Sequence, residues 1–255
     1  MNSPKLPTVS CIIPTFNCAQ YVGEAIDSVL AQSYRPAEII VVDDGSTDGT
    51  ADVVAAYNKH VRYLRQTNAG PPSARNYGLR VASGDFMALL DADDIWHPEK
   101  LDRQMSCFRD RPELDVCVTH VQNFWIPELV EEARRFQNHR IAKPLPGYCT
   151  GTLVARKVRF DSVGHFDNGL KHGDVQEWFM RAAEQGAVMQ LLPDVLLYRR
   201  LHRSNFSRAV SVAFDDHLRI IKGSLDRRRQ RDGTVKDYDF AGGAANKHGH
   251  SIKSC

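Results

Sequence analysis

An α/β fold on a mainly parallel, Rossmann-like central sheet flanked by helices is what the sequence predicts, and three observations predict it. Short β-branched runs alternate with longer amphipathic stretches through the first two-thirds of the 255 residues. Two of the apolar runs end abruptly in acidic clusters, Asp43-Asp44 and Asp91-Ala92-Asp93-Asp94, where the strand-end loops of such a sheet open a crevice. The length is enough to bury a sizeable core as one large domain or one domain with appendages.

In chain order, residues 8–14 (TVSCIIP) read as a buried strand, with Cys11 inside it. Between residues 19 and 32, Tyr21, Val22, Ala25, Ile26, Val29 and Leu30 fall on one helical stripe of period 3.6. Residues 38–42 (EIIVV) make a second buried strand that stops at Asp43-Asp44-Gly45-Ser46; a helix follows over 51–57 with Asp48 or Thr47 as its cap. A short strand at 61–64 precedes the Pro71-Pro72 break and a helix over 73–82. Residues 86–90 form an apolar strand that runs straight into the second acidic cluster. Pro98 suits the first turn of a helix carrying Leu101, Met105 and Phe108 on one face. Beyond it, 116–121 reads as a strand, 126–146 mixes a charged helical pattern with two later prolines, and 150–155 reads as a strand. A helix over about 174–185 has Val175, Trp178, Phe179 and Ala182 as its apolar face. Residues 191–201 are strand-like with an interruption at Pro193, and 206–229 have helical periodicity, a C-terminal helical extension. From Arg231 the chain is polar and Gly-rich, which predicts a mobile tail.

Composition narrows the class without naming a function. At 42% hydrophobic and 25% charged, the chain is neither collagen-like, mucin-like nor wholly disordered. The formal charge of +2 hides an asymmetry: residues 199–255 carry 13 Lys/Arg against 6 Asp/Glu, and the preceding residues 20 against 25. An acidic body suits a metal, and a basic end suits anionic lipid, pyrophosphate or nucleic acid. No aromatic-basic alternation accompanies Arg227–Arg231, so nucleic acid is not expected as a partner. No apolar stretch approaches the ~18 residues of a membrane span, and the first residues do not resemble a signal peptide. Six cysteines without a CxxC pair read as small buried hydrophobes, which makes a reducing cytoplasm the default compartment.

Carboxylates converging on one crevice repel one another unless a cation lies between them, and Mg²⁺ or Mn²⁺ prefers such oxygen ligands together with substrate phosphates. A single acidic cluster could be turn and cap alone; two at equivalent edges of one sheet point to a site. Other phosphate machinery is missing, since the sequence holds neither GxGxxG nor GxxxxGK. Serine-hydrolase GxSxG and zinc-protease HExxH motifs are absent as well.

Four blocks stand in order along the chain: VSCIIPTFN (9–17), VVDDGSTDGT (41–50), NAGPPSARNYGL (68–79) and LLDADD (89–94). In that order and spacing they resemble the family 2 glycosyltransferases of the GT-A fold. Further on, VGHFDNGL (163–170), DVQEWFMRAAEQG (174–186) and YRRLHRSNFS (198–207) look like its acceptor-side blocks. The resemblance implies a transferase domain over about 1–208, with a donor half over about 1–120 and an acceptor half over 121–208. A helix over 209–230 and the tail at 231–255 would follow. It implies a nucleoside-diphosphate-sugar donor, UDP first among them, and a glycan, lipid-linked or protein acceptor, with inversion by a single displacement. Thr15, Asp43 and Asp44 would lie around the nucleoside and Arg75 near the donor phosphates. Asp93 would be the direct ligand of a Mn²⁺ or Mg²⁺ ion, with Asp91 nearer the ribose or a metal-bound water. His202 would approach the metal or the diphosphate. Plainer readings stand beside two of these: Arg75 as a surface helix residue, and His202 as one histidine in a basic loop.

The likeness departs where the family's base belongs to a Glu-Asp pair. Here the segment reads Gly173-Asp174-Val175-Gln176-Glu177-Trp178, and the pair is absent. Asp174 is the leading candidate base and Glu177, one turn on, the second. The same two residues have the spacing of a capping box with Asp174 as N-cap, and Glu177 can pair with Arg181 at i,i+4. The departure keeps open a binding protein of the same fold with impaired catalysis. A sugar nucleotidyltransferase would carry a Gly-rich basic loop after the first strand, which Pro14-Thr15-Phe16-Asn17 does not offer. The basic C-terminal helix admits peripheral contact with the inner face of a membrane.

Overall fold

A computed structural model describes residues 6–170, 172–208 and 213–230. Its spine is β1 (Val9–Thr15), buried at every position. The reason is its place: β2 (Glu38–Asp43) and β4 (Phe86–Leu89) flank it in parallel, and a helical layer covers each face of the sheet. Alternation along the strand sends Val9, Cys11 and Ile13 to one core and Ile12 to the other. The first core is closed by α1 (Val22–Leu30), α2 (Thr50–Ala55) and α4 (Lys100–Asp110). The second is closed by α3 (Pro71–Val81), α6 (Lys157–Val163) and α7 (Asp174–Glu184).

The nine-stranded sheet runs β3-β2-β1-β4-β8-β6-β9-β5, where β3 is Arg62–Arg65, β8 Val154–Arg156, β6 Val116–Trp125, β9 Met189–Leu201 and β5 Ile95–Trp96. β3, β2, β1 and β4 are parallel, as the α/β pattern predicts. On the other side β8 enters antiparallel to both β4 and β6, β6 and β9 are parallel, and β5 is antiparallel to β9. A two-residue strand, β7 (Leu145–Pro146), adds to β6.

Differences from the predicted elements have local causes. Pro71 and Pro72 open α3 instead of preceding it, because the first turn needs no N–H from either. Pro98 lies before α4, whose N-cap is Glu99. The N-cap of α2 is Gly49, and Asp48 accepts the Thr50 N–H at 3.0 Å from one position further out. Residues 150–155 split into a 3-10 turn (Thr150–Thr152) and β8. Pro193 does not break β9; the register with β6 passes over Pro193 and Asp194 at Thr119–His120, so the strand bulges and continues. The charged pattern within 126–146 becomes α5 (Val130–Phe136). The C-terminal helix, α8, spans Ala213–Gln230, and the predicted tail at 231–255 lies outside the described residues. No helix among the described residues is long and apolar enough to cross a membrane.

Candidate active site

The topology brings six segments to one edge of the sheet. β1 ends at Thr15 in register with Asp43 at the end of β2. β4 feeds Asp91, Asp93 and Asp94, which lead into β5. α3 carries Arg75 and α7 begins with Asp174, while β9 ends one residue before His202.

Asp43 and Asp44 are enclosed by their own loop. Asp43 accepts from the Ser46 N–H at 2.7 Å and from the Tyr63 hydroxyl at 2.5 Å. Burial raises its pKa, but the hydrogen bonds from Tyr63 and Ser46 and the Arg65 charge outweigh it, so the carboxyl sits below its ordinary range. Asp44 accepts from Gln66 Nε2 (2.7 Å) and the backbone N–H groups of Ala69 (2.9 Å) and Gly70 (2.8 Å). Its carboxylate thereby fixes the turn into α3. Thr15 is buried beside them, and its Oγ1 has no hydrogen-bond partner among the described residues.

The second cluster is held from far away in sequence. Arg75 is a buried bridge, not a surface residue: one guanidinium nitrogen lies 2.8 Å from Asp174 Oδ2 and the other 3.1 Å from Asp91 Oδ1. Its Nε is buried without a partner among the described residues. Asp91 also accepts from Thr150 Oγ1 at 2.8 Å. Asp93 Oδ2 lies 2.9 Å from His202 Nε2 and 3.1 Å from Asn205 Nδ2. Burial, together with the charges of Asp93 and Asp91, pushes the Asp94 carboxyl well above the usual carboxylate range. Burial also lifts Asp174; Arg75 offsets part of that and Asp91 adds to it.

At the start of α7 the predicted capping box is replaced. The N-cap is Gly173, in a left-handed conformation (φ 78°), and makes no side-chain cap bond. Asp174 is therefore the first helical residue and is free to reach across to Arg75. Glu177 is turned to other partners, Arg181 Nε at 2.8 Å and Arg227 at 3.3 Å on α8.

Two residues at this edge were not singled out from sequence. Asn205 donates to Asp93 and to the Arg200 carbonyl (3.0 Å) and accepts the His202 N–H at 2.6 Å, closing the loop after β9. Arg200 lies between the rings of Tyr21 (4.7 Å) and Phe124 (4.9 Å), donates to the Asp93 carbonyl at 3.0 Å and pairs with Glu24 at 2.7 Å. A charged residue inside a buried strand needs a partner, and that was the available signal for Arg200. Asn205 gave none beyond standing three residues after His202.

The donor set at this edge suits a hard divalent ion. Asp91 and Asp93 offer oxygen ligands at partly exposed side chains (34% and 25%), next to an imidazole. Burial is the main cause of the raised Asp94 pKa, and the neighbouring Asp93 and Asp91 charges, which a cation would offset, add to it. No group of three His, Cys, Asp or Glu residues among the described residues converges tightly enough to hold an ion alone. Diphosphate oxygens and water would complete the shell, as is usual for Mg²⁺ and Mn²⁺.

The model of the family "Glycosyl transferase family 2" matches residues 10–167, from β1 through α6. The chain belongs to this family. The matched span contains Thr15, Asp43, Asp44, Arg75, Asp91 and Asp93 and ends before Asp174 and His202. Two uncharacterized glycosyltransferases, from Rickettsia typhi and Rickettsia prowazekii, are 30% identical over 234 residues and 33% identical over 237. Each alignment covers 87% of this chain and 72% of the relative. Among solved structures, the fold is similar to S. aureus TarS in complex with UDP-GlcNAc (TM-score 0.70, 22% identity, 92% of this chain and 68% of that one). It is also similar to the Pyrobaculum calidifontis mannosyltransferase PcManGT in complex with GDP-Man and Mn²⁺ (TM-score 0.68, 21% identity, 91% and 67%). At those identities the likeness establishes the GT-A fold, and the family establishes a glycosyltransferase.

Proposed function

We propose that this glycosyltransferase moves a sugar from a nucleoside-diphosphate sugar, with UDP as the nucleotide, to an acceptor hydroxyl by one inverting displacement with Asp174 as base. The observation that carries this reading is the buried Arg75 bridge, which ties Asp174 to Asp91 and so sets the candidate base beside the D-x-D pair. A donor carbohydrate held at Asp91 would then present its anomeric carbon to a hydroxyl on the Asp174 side.

Asp174 accepts the hydroxyl proton as the acceptor oxygen bonds to the anomeric carbon, and the carbon–oxygen bond to the diphosphate breaks with its electron pair leaving on phosphate oxygen. Asp93 and Asp91, with His202 beside them, would hold the divalent cation, whose chemistry is to neutralise the departing diphosphate. The Mn²⁺ complex of PcManGT and the UDP-GlcNAc complex of TarS support that cation and that class of donor. Asp43 and Asp44 shape the nucleoside end of the crevice.

Calorimetry with UDP, with and without Mn²⁺, tests the donor site: the wild type binds in a metal-dependent way and Asp93→Ala does not. Metal-independent binding, or unchanged binding in the variant, contradicts the assignment. The pH dependence follows from the direction of the Asp174 shift. A base acts deprotonated, and burial raises its pKa, so the acid limb of the kcat profile lies above that of an ordinary carboxylate. A profile falling only in the range of an exposed aspartate would remove Asp174 as base.

A further inference from the structure

Two faces of α8 meet different surroundings. Ile220, Ser224 and Arg227 turn to α7: Ser224 Oγ and Arg227 Nε reach Glu184 at 2.5 and 2.6 Å. A Cβ placed on Gly173 would lie 2.6 Å from Ile220 Cδ1, so the two helices leave no room at that point. On the other side Leu218, Ile221 and Leu225 are 51%, 53% and 46% exposed. Their i, i+3, i+7 spacing places all three within about 60° of the helix circumference. Single exposed apolar residues are ordinary on a protein surface, but three in register form a stripe.

Charge says what covers it. Lys222 and Arg229 fall along one border of the stripe, and both are exposed. The helix itself, residues 213–230, carries five Lys/Arg against three Asp/Glu, with Arg227 turned to Glu184 and Arg229 3.9 Å from Asp226. A second copy packed on this stripe would bring the basic borders of two identical helices together. An anionic lipid surface instead accepts both features at once, apolar side chains at the headgroup–acyl boundary and cations at the headgroups. We infer that α8 docks the enzyme on anionic membrane surface through Leu218, Ile221 and Leu225. Asp216 on its first turns accepts the His172 N–H at 2.8 Å, so the docked helix lies against the residues that lead into Asp174. The inference stands on the helix face and does not depend on the role of Asp174.

The test is sedimentation of the full chain with phosphatidylcholine vesicles, pure or containing about 30 mol% phosphatidylserine. Roughly tenfold more protein is expected on the anionic vesicles at low salt, declining as salt is raised. Leu218→Ser, Ile221→Ser and Leu225→Ser together abolish the binding, and Lys222→Glu with Arg229→Glu removes the preference for anionic lipid. An unchanged thermal melt shows that the variants are folded, and Ile221→Ser alone keeps the readout if the triple variant is not. Equal sedimentation with and without vesicles overturns the inference. So does a dimer by light scattering that the triple variant converts to monomer, since the stripe then joins two copies.

Discussion

Asp43 and Asp44 take their side-chain hydrogen bonds from residues 3 to 26 positions along the chain, whereas Thr150, His202 and Asn205 reach Asp91 and Asp93 across 59 to 112 positions. Both clusters end a parallel strand at the same edge, and in sequence they look alike. The first is sealed, with pKa-lowering bonds outweighing burial at Asp43. The second is partly open and crowded with like charge. A carboxylate saturated by its own loop fixes backbone. One whose partners arrive from distant elements depends on the assembled halves and retains the capacity to take a ligand. Arg75 stands only 16 positions from Asp91 and is the exception in range, but it joins α3 to α7 over 99 positions through Asp174.

The largest effect that sharpens this contrast is expected at Asp174. Asp174→Asn keeps a hydrogen-bond acceptor for Arg75 but removes the base, which lowers kcat about 10³-fold with little change in donor KM. Glu177→Gln, which weakens the pairs with Arg181 and Arg227, lowers the melting temperature and leaves kcat within about threefold. Equal losses of kcat from both substitutions would break the separation of the two carboxylates. Full turnover in Asp174→Asn would remove Asp174 as the base, and a wild type that binds donor without turning it over would revive the reading of a binding protein with impaired catalysis.

How far sequence alone reached follows the same division. The strand-helix alternation from β1 to β4 was legible because β1, β2 and β4 are buried on both faces, β3 being an exposed edge strand, and each helix carries one apolar stripe. Harder segments were those shaped by tertiary pairing: Thr150–Thr152 tightens into a 3-10 turn whose Thr150 reaches Asp91, and β9 absorbs Pro193 by bulging against β6. The residue types of the site were readable, as was their attachment to strand ends. Their pairing was not. Nothing local says that Arg75 meets both Asp91 and Asp174, or that Gly173 takes the cap position and frees Asp174 from it. Asn205 and Arg200 escaped notice because their partners lie on other segments.

Stability separates the clusters next. Asp44→Ala removes the buried acceptor of the Ala69 and Gly70 N–H groups and of Gln66 in a part-buried turn, at a cost of about 1–3 kcal/mol. Asp93→Ala removes a partly exposed charge from a crowded group and is expected to change stability by less than about 1 kcal/mol. Urea denaturation of the two variants measures both. If Asp93→Ala proves as destabilising as Asp44→Ala, the second cluster is scaffold like the first.

The smallest effect concerns a buried charge that neither cluster satisfies. Lys100, at the start of α4, is fully buried; its Nζ donates to Gln104 Oε1 at 2.8 Å and lies 4.1 Å from the Trp96 ring centroid. Burial pulls its pKa from 10.5 down to about 7. Between those values the unfolded chain holds a proton that the native chain does not, so stability rises with pH across the window and falls as pH drops toward 7. The slope is at most about 1.4 kcal/mol per pH unit. Above pH 9 the opposite trend enters, because burial pushes the Cys11 thiol from 9.0 up to about 12 and the native state then holds the extra proton. Between pH 7 and 8.5 the Cys107 thiol, lowered to about 7 by its hydrogen bond with Cys117, adds a slope of the same sign, so urea midpoints of the wild type climb more steeply than those of Lys100→Met. Asp43 is buried as deeply but is matched by hydrogen bonds, so its stabilisation is present through this interval and is lost only when acid carries the pH down through its lowered pKa. Parallel wild-type and Lys100→Met profiles would mean that Lys100 keeps its proton inside the fold, with Gln104 and the Trp96 ring sufficient to hold it.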